Sequence, residues 1–276
     1  MEPAGVSRYP ELSPAHQLDV ADDDARSVAE ALGRQAGPGR PFSRVHTTTI
    51  VDAQVTVESI ERALAQLAGM GRDDLAVVFL AGHGVRLADG KMVFLTSVAG
   101  TKAESVRKNG VGWERIYEAL GRAPGRVILL LDACHSGHIA TERVAPNEAL
   151  AKGFATQNRA GILVFAASRG SQLSYEVSGA GGTATEGTGS RGLEIAWEGR
   201  PPRDTSSLAA GHGLFTSALL EALAGRAPDR DKSGALEVSE LVDYVTERVR
   251  GASNGKQTPW VARREMFGDF MVASAL

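Results

Sequence analysis

Residues 126–137 read RVILLLDACHSG. The apolar run, bounded by Gly125 before it and a polar turn after it, has the pattern of a strand buried on both faces, as a parallel sheet requires. The strand ends at Asp132, and Cys134 follows just past its carboxyl end, where open α/β sheets place their chemistry. Cys134 is the single cysteine in 276 residues, which excludes an intramolecular disulfide and a cysteine-rich metal site. A lone cysteine without context reads as a small buried hydrophobe. Here a second strand supplies the context: residues 74–81, DLAVVFLA, end in Gly82-His83-Gly84. Two strand ends, one bearing a thiol and one an imidazole, are the parts of a Cys/His dyad. His83 then acts as general base or thiolate partner and later protonates the leaving amine. His212, in a second Gly-His-Gly, is the competing base, but it follows a Gly-rich stretch rather than a strand, so His83 is preferred.

Length and composition set the frame. A chain of 276 residues with 43% hydrophobic content can bury a large core as one α/β domain. A net charge of −3 offers no basic surface for nucleic acid. No apolar run approaches the ~20 residues of a membrane helix, and residues 1–10 lack a signal-peptide core, so the expectation is a cytoplasmic protein without a membrane partner. A reducing compartment would keep Cys134 a thiol.

Along the chain, residues 1–18 read as irregular, and Asp22-Asp23-Asp24 precede a helix expected from about Asp23 to Gly37. Residues 45–51, VHTTTIV, are β-branched and read as a strand. Thr56 caps a helix carrying Ile60, Ala63, Leu64 and Leu67 on one face. A short strand is expected at 92–96. Residues 113–120 form an amphipathic helix with Trp113, Ile116, Tyr117 and Leu120 inward. Residues 161–167, GILVFAA, are the next buried strand, ending at Ser168; 214–224 read as a helix, and 258–261 and 267–272 as terminal strands. Strand and helix alternate, which argues for an α/β fold with a mainly parallel sheet and helices on both faces.

Three stretches stand out. Residues 178–213 are rich in Gly, Ser and Thr and read as more than thirty structureless residues, with Arg191, Arg200 and Arg203 among them; Arg143, Lys152 and Arg159 space a second polar stretch. Exposed loops are where proteases cut, so these residues are the candidate sites for a maturing cleavage by an activating protease. Residues 229–240, DRDKSGALEVSE, put Asp229, Asp231, Ser233, Glu237 and Glu240 at positions 1, 3, 5, 9 and 12 of an EF-hand-like loop, with Gly234 at position 6 and the Ala235 carbonyl at 7. That arrangement suits Ca²⁺; the alternative is an Asp/Gly turn before a helix starting near Ser239, since EF-hands normally pair and this loop is alone.

Ala81-Gly82-His83-Gly84 and Asp132-Ala133-Cys134-His135-Ser136-Gly137 resemble the two signatures of the caspase-like cysteine peptidases, closest to the metacaspase and bacterial branch. His83 and Cys134 are 51 positions apart, near the ~50 of caspases. Residues 5–10 (GVSRYP), Asp23-Asp24-Ala25, Ala166-Ala167-Ser168, residues 212–216 (HGLFT) and Gln257-Thr258-Pro259 extend the likeness over nearly the whole chain, in family order. The resemblance implies a three-layer sandwich around about six strands, divided into a large-subunit-like part (about 1–177), a linker (about 178–211) and a small-subunit-like part (about 212–276). It also implies an oxyanion hole from the amides of Gly84 and Cys134, no required cofactor, and protein substrates cut after basic residues, Arg before Lys. Asp24 and Asp132, with Ser168, would line the pocket for that residue, because carboxylates in a partly buried pocket demand a cation. For Asp24 the bland alternative is a solvated helix cap, and for Asp132 a cap on the cysteine loop. Ala81 stands where metacaspases often carry Ser, implying a looser pocket. The family usually has a hydrophobic strand before the segment at Gly5, whereas only residues 1–4 precede it here, so either the start is late or the sheet lacks much of a strand. The rival functions are a catalytically silent caspase-shaped interaction module, a calcium-responsive regulatory protein, or another dyad enzyme of the wider clan. The family points to regulated proteolysis in a bacterial stress, defence or cell-death response.

Overall fold

The computed structural model describes residues 1–133, 143–144, 161–168, 175–177, 184–186, 211–263 and 269–275. Its centre is a sheet of six strands in the order β13-β9-β7-β3-β1-β2. These are β1 (Glu2–Gly5), β2 (Ile50–Val51), β3 (Leu75–Gly82), β7 (Arg126–Ala133), β9 (Ile162–Ala166) and β13 (Trp260–Arg263). All neighbours run parallel except β13, which closes one edge antiparallel to β9. The sheet is therefore mainly parallel, as the buried apolar runs require: Val78, Phe79 and Leu80 of β3 and Val127 to Leu131 of β7 are buried on both faces.

Helices α1 (Ala21–Gly33), α2 (Val57–Gln66), α3 (Ala103–Asn109), α4 (Trp113–Arg122), α5 (Leu214–Glu221) and α6 (Val238–Ala252) supply the cover. The chain steps outward from β1 through α1 to β2, then back across β1 through α2 to β3. Right-handed crossovers then put α1 on one face and α2, followed in the same direction by α4, on the other. The packing agrees: α1 lies on β1 and β3 and touches α5, α5 packs on α6, and α2 packs on α4. Thr56 caps α2 as expected, its Oγ1 accepting from Ser59 N at 3.1 Å. Trp113, Ile116, Tyr117 and Leu120 are all buried. Phe165 of β9 and Phe215 of α5 meet edge to face, centroids 5.0 Å apart.

Beyond the carboxyl end of β3 the chain enters a small antiparallel sheet, order β6-β5-β4-β8, made of β4 (Gly84–Arg86), β5 (Met92–Leu95), β6 (Gly110–Gly112) and β8 (Arg143–Val144). Two further pairs are β10 (Tyr175–Val177) with β11 (Ala184–Glu186), and β12 (Ala235–Glu237) with β14 (Met271–Ser274).

Several expectations need correction. Residues 1–18 are not all irregular: Glu2–Gly5 is a strand inside the sheet, and it exists because β3 and β2 flank it, not because EPAG has a strand pattern. Val6 N donates to Ala81 of β3, so Pro3, which has no N–H, turns its missing donor toward β2, whose ladder begins only at Ala4 and Ile50. For the same reason the strand expected at 45–51 is reduced to Ile50–Val51. Helix α1 starts at Ala21 rather than Asp23 and ends at Gly33 rather than Gly37. The stretch 178–213 is not wholly structureless, since Ala184–Glu186 pairs with Tyr175–Val177. Arg143 belongs to β8, paired with Arg86, rather than to an irregular stretch. The final strand is Met271–Ser274, displaced from 267–272 because its partner is β12.

Replacing Phe165 with Ala removes one side of the buried aromatic pair and is expected to cost about 3–5 kcal/mol in denaturant unfolding. Val98→Ala, at a side chain 47% exposed, is expected to leave the midpoint nearly unchanged.

Candidate functional site

The parallel registers align the strand ends. Gly5 lies opposite Ala81, Ala81 opposite Asp132, Gly82 opposite Ala133, and Leu131 opposite Ala166. The residues that follow or close these strands, His83, Asp132 and Ser168, are therefore brought to one edge of the sheet, and all three are buried. Cys134 follows Ala133 in the chain and lies outside the described residues.

His83 is held at three points. Gly82, at φ +150°, turns the chain out of the parallel sheet, and a Cβ there would stand 2.8 Å from the Tyr9 hydroxyl oxygen, so the turn requires glycine. The Tyr9 hydroxyl accepts from His83 N at 3.0 Å, and its ring lies 4.8 Å from the imidazole. His83 Nε2 lies 2.8 Å from the carbonyl oxygen of His16. A carbonyl can only accept, so Nε2 carries the proton and Nδ1 holds the lone pair of the neutral ring. The His16 carbonyl is itself positioned by Gln17, whose amide accepts from Tyr9 N at 2.7 Å and donates to the carbonyls of Tyr9 and Leu12. Gly84 opens β4 opposite Phe94.

The acidic residues converge on one helix start. Asp24, in the first turn of α1, is 2% exposed, and Asp132, at the end of β7, is 4% exposed. Asp24 Oδ1 accepts from His212 Nδ1 at 2.7 Å, and its two oxygens accept from Gly213 N at 3.2 and 3.3 Å. Asp132 Oδ2 accepts from Thr216 Oγ1 at 2.8 Å. Gly213 sits between them: a Cβ would stand 2.8 Å from Asp132 Oδ2 and 3.0 Å from Asp24 Oδ2, so only glycine lets both carboxylates approach. The positive end of α5 faces this pair of anions. Asp24 is thus no solvated cap. Burial pushes its carboxyl pKa up, opposed by the hydrogen bonds from His212, Gly213 and Thr216. The same contact with Asp24 pushes the His212 imidazole up, so the pair holds on to a proton. His212, the rival base, is engaged with Asp24.

Ser168 follows Ala167, whose N–H donates to the Leu131 carbonyl and whose carbonyl accepts from the buried Gln257 amide at 2.9 Å. Of the candidate cleavage residues, Lys152, Arg159, Arg191, Arg200 and Arg203 lie outside the described residues.

The loop at 229–240 brings carboxylate oxygens of Asp229, Asp231 and Glu240 within 4.8 Å of one another. Asp229 accepts from the amides of Ser233 and Gly234, and Ser233 Oγ bonds Glu237 at 2.6 Å and contacts the Ala235 carbonyl at 3.3 Å. Glu240 caps the start of α6 by accepting from the Glu237 amide, and its other oxygen accepts from the Arg230 amide at the head of the loop. β12, inside this loop, pairs antiparallel with β14. These residues have the ligand chemistry of a hard cation site.

Residues that side-chain patterns alone did not reveal as part of the site are Tyr9, His16, Gln17 and Thr216. His16 acts through its backbone carbonyl, which no side-chain pattern encodes; Tyr9 had a signal, its place in the GVSRYP segment.

The model of the caspase domain matches residues 5–271. Among solved structures, protein GSU0716 from Geobacter sulfurreducens is 16% identical, with 96% of this chain and 94% of that chain covered at a TM-score of 0.57. The structure of pro-sf-caspase-1 is 13% identical, with 95% and 85% covered at a TM-score of 0.53. No curated protein sequence matches. No described helix is long and apolar enough to cross a membrane.

Thr216→Val keeps the shape of the buried contact and removes the donor to Asp132, so it is expected to cost about 1–3 kcal/mol in unfolding free energy. Arg34→Ala, which breaks an exposed pair with Glu30, is expected to leave the unfolding midpoint within error.

Proposed function

Because the chain belongs to the caspase-domain family, we propose that it is a cysteine endopeptidase cutting after basic residues, Arg before Lys. The observation that carries the specificity is the pair of buried carboxylates, Asp24 and Asp132, gathered around Gly213 at the edge where β7 runs on toward Cys134. Two carboxylates at one point disfavour an anionic substrate residue and favour a guanidinium, which answers carboxylates in two directions. Ser168 completes the lining.

The Cys134 thiolate attacks the scissile carbonyl carbon, and the charge that develops on its oxygen is held by the amides of Gly84 and Cys134. His83, with Nδ1 as its basic nitrogen, takes the thiol proton and gives it to the leaving amine. A water then splits the thioester, releasing the acid and restoring the thiol. One oxyanion donor is worth about 2.7–4 kcal/mol. The His16 carbonyl supports this by fixing the tautomer and stabilising the charged imidazolium. Cleavage among Arg143, Lys152, Arg159, Arg191, Arg200 or Arg203 by an upstream protease, between large- and small-subunit-like parts, matures the enzyme. The setting is a cytoplasmic bacterial stress, defence or cell-death response.

Fluorogenic peptides ending in Arg, Lys and Asp test this directly. Arg-peptides are expected to turn over best; Cys134→Ala is expected to lower kcat/KM by on the order of 10⁴ or more. Asp24→Asn and Asp132→Asn should each cost about 10–100-fold on Arg-peptides. Preference for Asp-peptides would overturn the pocket assignment, and equal activity of intact and cut protein would rule out maturation by cleavage.

The convergence of Asp229, Asp231 and Glu240 favours a second reading for that loop, Ca²⁺ binding that stiffens the join between β12 and α6. Calcium at 100 times Kd would stabilise the fold by about 2.7 kcal/mol. A melting temperature raised by Ca²⁺ and not in an Asp231→Asn variant supports the site; identical curves in Ca²⁺ and chelator make the loop a plain turn.

A further inference from the structure

Asp24 already has an imidazole partner from its own chain. Asp24 is buried, and its contacts are the imidazole of His212, the amide of Gly213 and the hydroxyl of Thr216. Gly213 and Thr216 are buried as well, and both belong to the fixed start of α5. His212 differs: its side chain is 16% exposed against 3% for Asp24, and it stands on the turn before the helix. Among the groups that contact Asp24, His212 is therefore the most exposed.

We propose that His212 is a specificity-determining residue: its imidazole occupies the Asp24 position that the substrate's basic side chain must take, and that side chain enters by exchanging for the proton held between Asp24 and His212. The inference rests on the basic-residue reading above. When the imidazole moves aside, the Gly213 amide still satisfies Asp24, so the carboxylate is never stripped of its donors. The incoming guanidinium meets Asp24 and Asp132 together, since both stand about the same point beside Gly213. The proton leaves to solvent, and the charge balance of the buried pair is kept, one cation for another.

The charged groups facing His212 are Asp24 and Asp23 from α1, with Asp132 of β7 across Gly213, and no other ion-pair partner of Asp24 occurs among the described residues. These carboxylates raise the pKa of the imidazole above its ordinary 6.5. Below that raised value the ring is charged and competes with the substrate; as pH rises through it, the ring becomes neutral and its hold on Asp24 weakens. Affinity for a basic residue therefore rises with pH, whereas affinity for a neutral residue of the same shape does not.

The test uses the full chain and two peptides identical except for Arg or citrulline, its neutral isostere, at the cleavage position, with kcat and KM measured from about pH 5.5 to 8.5. The ratio of the two kcat/KM values cancels the titration of the His83–Cys134 dyad. The expected wild-type ratio climbs with pH, by at most about tenfold per unit, then levels off, and the change lies in KM. In His212→Gln, and in His212→Asn as a second variant, the ratio is expected to be flat and already high in acid. A flat ratio in the wild type, or an unchanged slope in folded variants, overturns the inference. Arg-peptides left uncut by the wild type at every pH, both before and after limited proteolysis, would overturn the basic-residue reading and this inference with it, an outcome distinct from a flat ratio.

Discussion

The parallel ladder between β3 and β7 is the constraint on which the rest depends. Eight residues of each strand pair without a slip, from Leu75 and Arg126 to Gly82 and Ala133. A shift of one residue would turn every side chain of a strand to the opposite face. It would also shift the end of β3, which leads into His83, against the end of β7, which leads into Cys134. Burial on both faces keeps the ladder inside the core, and the turn at Gly82 and the polar Asp132 mark where it ends. From that register follow the turn at Gly82, the entry into the antiparallel sheet at Gly84, and the position of Asp132 one residue before the end of its strand.

The second constraint joins distant parts of the chain. Asp24 and His212 are 188 residues apart, and Asp132 and Thr216 are 84 apart, yet both contacts close around the start of α5. Burying two carboxylates is costly unless donors meet them. Here the donors are a backbone amide, a hydroxyl and an imidazole, with the positive end of a helix behind them. The arrangement binds α1, β7 and α5 to one another and leaves the acidic charge concentrated where a cation can answer it. The groups that would select a basic residue under the proposed function are thus also groups that hold the fold together.

Much of this was legible from residues alone, and the pattern of what was not is physical. β3, β7, β9 and α4 announce themselves because burial writes a continuous or periodic apolar signal into the sequence. β1 does not, since Glu-Pro-Ala-Gly becomes a strand only through its neighbours. β14 sits where β12 needs it rather than where its own pattern peaks. His83 stands out by the strand end it follows, whereas Asp24 and Asp132, each with a plain capping role as its alternative, take their pocket role from the resemblance to the caspase-like family. The Tyr9 hydroxyl and the His16 carbonyl escaped because one is an ordinary core aromatic by pattern and the other is backbone. His212 was noticed as a rival base; its bond to Asp24 is a tertiary fact that no local spacing encodes.

The most direct test of the central claim, a thiol at Cys134 beside a pocket that selects cations, is labelling of the full chain, before and after limited proteolysis, with arginyl and aspartyl chloromethyl ketones, read by intact mass and peptide mapping. The account predicts a single adduct on Cys134 from the arginyl reagent and none, or far slower labelling, from the aspartyl reagent. Faster labelling by the aspartyl reagent, an arginyl adduct elsewhere in the chain, or no adduct in either state would contradict it.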